Sequence, residues 1–298
     1  MNEKEYLEAV LRAQTLVPNG PEILELQRQR DNVTKVINEK LGRARPEVRR
    51  GGSWAKNTMI LEAYDLDLPT YFSYDETGAG ETLEEIYNAV AQALSDDYFV
   101  ERRRSALRLR SRDASRYQED THIDLVPGRF FDDSRSDAWI YQNGADKCRL
   151  KTNLDIHVDH IRESGVRPAI RLGKLWNIRE QVGLKTFVLE LLIVDLLRRR
   201  KDAALADQFK YIMEQFRDQA DNLSVSDPAN GNNDLTPALI AVKPALVSAA
   251  SSVLWRLNHT GWEAVFGPIL EEDRGRSIAH AASAVATTQR YKPWSSER

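Results

Sequence analysis

Cysteine is nearly missing from this chain: Cys148 is the only one in 298 residues. A single thiol closes no intrachain disulfide and builds no cysteine-rich metal site, so an apolar core has to hold the fold and a reducing compartment is the expected home. Cys148 itself reads as a plain buried or half-buried thiol. A basic surplus is also lacking, since 42 Lys and Arg stand against 45 Asp and Glu for a formal net charge of −3. Proteins whose affinity rests on a long polyanion usually carry such a surplus. Its absence argues against tRNA or duplex DNA as an obligatory substrate. Long apolar runs are missing too. The longest, Phe187 to Leu197, is broken by Glu190 and Asp195 and falls short of the ~20 residues that span a bilayer. The residues after Met1 are charged rather than apolar, so neither a secretory signal nor a membrane partner is expected, and the expected location is the cytoplasm. No internal repeat or low-complexity segment is visible.

What is there centres on Gly51-Gly52-Ser53-Trp54-Ala55-Lys56-Asn57-Thr58, followed by Tyr64-Asp65-Leu66-Asp67-Leu68. Alternate side chains of a strand share a face, so Asp65 and Asp67 project together while Leu66 and Leu68 go to the other side. Two carboxylates on one face repel, and a cation between them or open solvent relieves the repulsion. A hard divalent ion held by carboxylates and substrate phosphates meets that need. The glycines let backbone N–H groups approach an anion, and Ser53 can donate to a phosphate oxygen. Taken together the two halves read as a nucleoside-triphosphate site. A third carboxylate, Asp124, lies in the apolar run His122-Ile123-Asp124-Leu125-Val126-Pro127. Three carboxylates on two adjacent strands can bind two metal ions for in-line phosphoryl transfer.

Along the chain, apolar spacing predicts helix from Asn2 to Leu41, broken at Pro18–Pro21. A strand reaches Val48, and a second runs from Asp65 to Tyr71. Thr82 and Glu85 form a capping box for a helix carrying Leu83, Ile86, Val90 and Leu94. Strands are predicted over Tyr98–Arg110 and Thr121–Val126. In the basic run from Glu101 to Arg116, Leu107-Arg108-Leu109-Arg110 reads as a half-buried strand with its arginines on the solvent face, a nucleotide or nucleic-acid contact being the alternative. Asp132 to Asp146 reads as an exposed linker. From His157 on the pattern is helical, with Asp227–Asn233 a polar turn and a long helix from Pro237 to about Leu257. The fold class is therefore α+β: a mixed-sheet core over 1–155, led by a long helix expected to brace both parts, and a helical lobe over 156–298, with the cleft between.

The Gly-Ser turn, the Asp-x-Asp strand and the third Asp resemble the DNA polymerase β-like nucleotidyltransferases. Further residues sharpen the likeness: Lys174 and Trp176 in a Lys-x-Trp helix, Lys185 to Leu192, the turn Asp227 to Asn230, and the Trp262–Gly267 segment. These are similar to the branch of oligoadenylate synthases, cGAS, CCA-adding enzymes and the bacterial cGAS/DncV-like nucleotidyltransferases (CD-NTases), and the last segment resembles the bacterial group. The resemblance implies that Asp65, Asp67 and Asp124 are catalytic and hold two Mg²⁺ or Mn²⁺ ions. It implies that Gly52, Ser53, Lys56, Lys174, Lys185 and Thr186 bind the triphosphate. Lys174 as a snorkelling surface lysine, Asp227 as a structural turn, and Trp176 and Trp262 as core remain the structural alternatives; His160 lies where CCA-adding enzymes have a histidine near the nucleotide. The expected activity is joining NTPs into a cyclic or short linear oligonucleotide messenger for bacterial antiphage signalling, with a regulatory protein as a further partner. A template-independent RNA 3′-end nucleotidyltransferase, transfer to a protein or drug, and an inactive nucleotide-binding scaffold are the alternatives.

Overall fold

The computed structural model describes residues 1–112, 122–145 and 148–269. The chain opens with α1 (Glu3–Ala13) and α2 (Pro21–Leu41), parted where the proline and asparagine signals predict. Asn2 and Glu5 make a capping box at the start of α1, and Pro21 occupies the first turn of α2, where its missing N–H costs nothing. After β1 (Glu47–Val48) come the short α3 (Gly52–Lys56) and β2 (Leu66–Phe72). Next is α4 (Leu83–Leu94), whose Thr82–Glu85 capping box forms as the sequence predicts. The basic run forms a hairpin, β3 (Tyr98–Arg102) and β4 (Leu107–Ser111), and β5 (Ile123–Phe130) carries the third Asp. Residues 113–116 of that run, and Thr121, lie outside the described residues.

Asp132 to Asp146 is not a linker. It contains β6 (Ala138–Tyr141), which pairs with the end of β5 and with β7 (Arg149–Thr152); Asp146 lies outside the described residues. Cys148, expected to be at least half-buried, is exposed. The sheet has seven strands, with the path β1-β2-β5-β4-β3 and β6–β7 branching from β5. Among the described residues, β2 and β5 are the one parallel pair, in register from Leu66↔Ile123 to Phe72↔Arg129.

The period of two explains how this sheet is used. Leu66, Leu68, Leu107, Leu109, Ile123 and Leu125 all enter one apolar core together with Ile86, Tyr87, Val90 and Leu94 of α4 and Leu26, Val33 and Ile37 of α2. Their neighbours Asp67, Asp124 and Arg108 are thereby placed on the opposite face.

A second core is helical. It gathers α5 (Leu154–Glu163), α6 (Arg167–Arg179), α7 (Thr186–Leu197), α8 (Leu205–Asp218), α9 (Thr236–Ile240), α10 (Lys243–His259) and α11 (Glu263–Phe266). The expected long helix after Pro237 is thus two, α9 and α10. The turn at Asp227 is a small hairpin of β8 (Ser226–Asp227) and β9 (Asn230–Asp234). Trp176 is fully buried and stacks on Phe216 with ring centres 5.8 Å apart, and buried Trp262 packs on Phe209, so both are core. The N-terminal helices divide their work: Tyr6, Leu7 and Val10 of α1 join the helical core, whereas α2 packs on α4 and β2. The long helix braces the sheet rather than both parts, and short α1 holds the helical side. No helix among the described residues is long and apolar enough to cross a membrane.

Candidate active site

The Gly-Gly-Ser turn is tied to β2 by main chain. Arg49 donates to the Pro69 carbonyl at 2.8 Å and Gly51 to the Asp67 carbonyl at 3.0 Å. Gly52 has φ of 52°, and a Cβ there would collide with Asp67 Oδ2. Conformation and proximity therefore both demand glycine. The helix α3 stops after one turn because Asn57 is left-handed at φ 57°, its N–H returning to Ser53 and Trp54 carbonyls, a common way of satisfying terminal carbonyls. Ser53 is thus fixed above β2 with a partly exposed side chain.

Asp65 sits just before β2 and Asp67 within it. Asp67 is the register partner of Asp124 across the parallel pair, and Asp124 is the register partner of Arg108 on β4. Arg108 in turn faces Glu101 on β3. Four charged residues so form one row across four strands. Burial first, then Asp124 and Asp65, push the Asp67 carboxyl up to about 7. Arg108 is buried and grips Asp124 through both oxygens, Nε to Oδ1 and Nη2 to Oδ2, each at 2.8 Å. It does not face solvent as the alternating pattern predicts, because its register partner Asp124 holds it in the row, whereas Arg110 on the same face is exposed.

Below Asp67 lies a second charged cluster. Lys56 Nζ is 2.6 Å from Glu190 Oε2 and Lys174 Nζ 2.8 Å from Oε1, all three side chains being buried. Thr58 donates its hydroxyl to Glu190 at 2.8 Å and accepts from Lys174 at 3.0 Å. Burial alone would raise the Glu190 carboxyl, but Lys174 and Lys56 outweigh it and hold it at about 2. Burial pushes the Lys174 ammonium down, only partly offset by Glu190. The two directions disagree about how well the cluster is satisfied, and geometry accounts for both: one carboxylate receives two cations, while each cation has only a share of one carboxylate. The structure therefore directs both lysines to Glu190, a residue the sequence reading did not select. Their charge still acts on Asp67, lowering its pKa against the larger opposing effects.

Lys185, exposed, and Thr186, half-buried, mark the start of α7. Phe187, next in sequence, sits between the Lys56 ammonium at 4.8 Å and the His157 ring at 4.9 Å. Asp227 is a turn anchor: it lies 2.7 Å from His157 Nε2 and accepts from Ala229 N and Asn233 Nδ2 at 2.9 Å. Burial raises its carboxyl, but the bonds from His157 and Asn233 outweigh this and keep it below the ordinary range. It is His157, rather than His160, that meets this turn. His160 is half-buried, and burial lowers its pKa.

A divalent ion suits the donor set. The donors are all oxygens, and the nearby cations Lys56, Lys174 and Arg108 are paired with Glu190 and Asp124 rather than with Asp67. Among the described residues no three acidic, histidine or cysteine side chains are arranged around one ion. Both oxygens of Asp124 accept from Arg108.

No family model matches the chain, and no curated protein matches it by sequence. Solved structures do match. Escherichia coli MS115-1 CdnC with ATP is 15% identical, with a TM-score of 0.67 over 91% of this chain and 99% of that one. The same bacterium's CdnC in complex with HORMA-deltaN gives 0.65 at 15% identity over 90% and 98%. Vibrio cholerae DncV, a cyclic AMP-GMP synthase described as a prokaryotic cGAS homolog, gives 0.55 at 15% identity over 91% and 88%. The chain therefore has the polymerase β-like fold of the nucleotidyltransferases. More narrowly, its architecture is that of the cGAS/DncV-like CD-NTases.

Proposed function

We propose that this protein is a nucleotidyltransferase that joins NTPs into a cyclic or short linear oligonucleotide and releases pyrophosphate. The observation that carries the reading is the placement of Gly52 against Asp67 Oδ2 and of Asp67 in register with Asp124. That juxtaposition sets the Gly-Gly-Ser turn directly beside a row of carboxylates. Two Mg²⁺ or Mn²⁺ ions held by Asp65, Asp67 and Asp124 would neutralise charge on the phosphoryl oxygens. This chain's own residues position the reactants. Ser53 donates its hydroxyl to the triphosphate, Gly52 lets the turn pack directly on the Asp67 carboxylate so that its main chain stands beside the ions, and Asp124 orients the attacking hydroxyl. Lys185 and Thr186 reach the phosphates from the helical side. Lys56 and Lys174 act through the field of their cluster under Asp67 rather than by contact. Phosphoryl transfer needs little more than positioning and charge stabilisation, which is what such a site supplies.

The ATP-bound CdnC supports NTPs as substrates, and CdnC with HORMA-deltaN supports a regulatory protein partner for this chain. Signalling in antiphage defence in the cytoplasm belongs to the same proposal. The near-neutral charge favours a small soluble product over an RNA 3′ end. Mass spectrometry of products from purified protein, all four NTPs and Mg²⁺ or Mn²⁺ tests it. A short oligonucleotide, cyclic or linear, is expected; labelled CTP or ATP entering tRNA, with no small product, overturns it.

A further inference from the structure

The row Asp67–Asp124–Arg108 contains a cation that the reaction as proposed above does not use. Arg108 and Asp124 are register neighbours on paired strands, so their geometry is set by main-chain hydrogen bonds and not by a mobile surface contact. Both Asp124 oxygens are engaged at 2.8 Å. Planar, two-point pairing of this kind is the strongest that arginine makes with a carboxylate. The side chains are 7% and 17% exposed, so solvent screens the pair poorly. Arg108 has one donor left over: Nη1 is buried and without a partner in the structure. Such an orphan is costly unless something else comes to meet it.

We propose that Arg108 is the positioning residue of Asp124: it occupies both Asp124 oxygens in the nucleotide-free chain, so that ion binding at the carboxylates depends on the incoming triphosphate. The inference rests on the nucleotidyltransferase reading above. Free divalent ion meets a row in which one carboxylate is already neutralised, and binds weakly. An NTP brings its own negative charge, which offers Arg108, through Nη1, a second acceptor and releases an Asp124 oxygen to the ion. The arginine so keeps Asp124 aligned before substrate arrives and couples ion binding to nucleotide binding.

The test is Mn²⁺ affinity by electron paramagnetic resonance, with and without a non-hydrolysable ATP analogue, for wild type, Arg108→Gln and Arg108→Lys. Wild type should bind Mn²⁺ weakly alone and at least tenfold more tightly with the analogue. Arg108→Gln should bind Mn²⁺ alone about tenfold to a hundredfold more tightly than wild type, because a charge-assisted pair has been removed. Mn²⁺ should also raise its melting temperature more than that of wild type. Its kcat should fall and its KM for NTP should rise, because the contact from Nη1 to the nucleotide is lost. Arg108→Lys keeps the charge without the fork, and should lie between wild type and Gln in both Mn²⁺ affinity and kcat; if Gln does not fold, Lys alone decides. Unchanged Mn²⁺ affinity in a folded variant overturns the proposal while leaving the nucleotidyltransferase reading intact if wild type still makes product. A wild type that binds neither analogue nor Mn²⁺ overturns both.

Discussion

Replacing Glu190 by Gln keeps volume and removes one buried charge, and the consequence can be worked from the cluster. Lys56 and Lys174 would be left as two buried ammonium groups 134 and 16 residues away from their lost partner in sequence. Breaking a buried ion pair in this way typically costs ~3–5 kcal/mol, because the remaining charge is uncompensated. The carboxyl's fall from its ordinary 4.5 to about 2 points to a similar size, about 3 kcal/mol. Some of that is cancelled in the wild type by the strained Lys174, so the cluster's net contribution is smaller than the loss on breaking it. For a chain of this size the substitution should lower the melting temperature on the order of 10 °C. The sign with pH follows from a depressed carboxyl: its stabilisation is complete above about 4.5 and is lost as pH falls towards 2, so Glu190→Gln should narrow its gap to wild type in acid. The triple variant Lys56→Met/Glu190→Leu/Lys174→Met removes all three charges together and should recover most of the lost stability. Thermal unfolding at pH 7.5 and 3.5 measures both. A Glu190→Gln protein that melts within 2 °C of wild type at pH 7.5, or a triple variant no better than the single, refutes the reasoning.

Other outcomes follow from the same geometry. The raised Asp67 carboxyl by itself makes a contribution to the metal-free fold that is lost as pH rises from about 4 through 7; with chelator present, Asp67→Asn should gain on the order of 1–3 kcal/mol at pH 8 and almost nothing at pH 4 by calorimetry. Ser53→Ala should cost about tenfold to a hundredfold in turnover, the worth of one hydrogen bond to a charged phosphate, with the fold unchanged by circular dichroism. Binding to tRNA should be weak, strongly salt-dependent and unnecessary for turnover, which filter binding across a salt series and a nuclease-treated activity assay would check.

Much of this arrangement is legible in the sequence. The alternation Leu66, Asp67, Leu68 and Ile123, Asp124, Leu125 states which residues enter the core and which lie on the opposite face, and the sheet follows it residue by residue. Turn and capping signals at Pro21 and at Thr82–Glu85 were equally explicit because their chemistry is local. What failed was non-local. Leu107-Arg108-Leu109-Arg110 has the pattern of a solvent-facing strand, and only the register against Asp124 shows that Arg108 is enclosed. Strand β6 hid behind the polar run from Asp132 to Asp137, since four residues gain their strand identity from the neighbours on either side. The pairing of Lys56 and Lys174 with Glu190 was not legible either, because their shared partner lies on another helix. The signal that could have found it was Glu190 itself, one of two charges in an otherwise apolar helix and the one in the middle of its longest apolar stretch, which must be paired when buried.

The central claim is that the carboxylates at Asp65 and Asp67 perform phosphoryl transfer, and its most direct measurement is the turnover of the Asp65→Asn/Asp67→Asn protein. Volume is kept and two repelling charges are lost, so the protein should fold, with a metal-free melting temperature at or slightly above that of wild type. Pyrophosphate release with all four NTPs and Mg²⁺ or Mn²⁺ should fall by several orders of magnitude, matching the ~4 kcal/mol or more that loss of a catalytic metal's ligands removes. A folded double variant that still forms product at close to the wild-type rate would contradict the account.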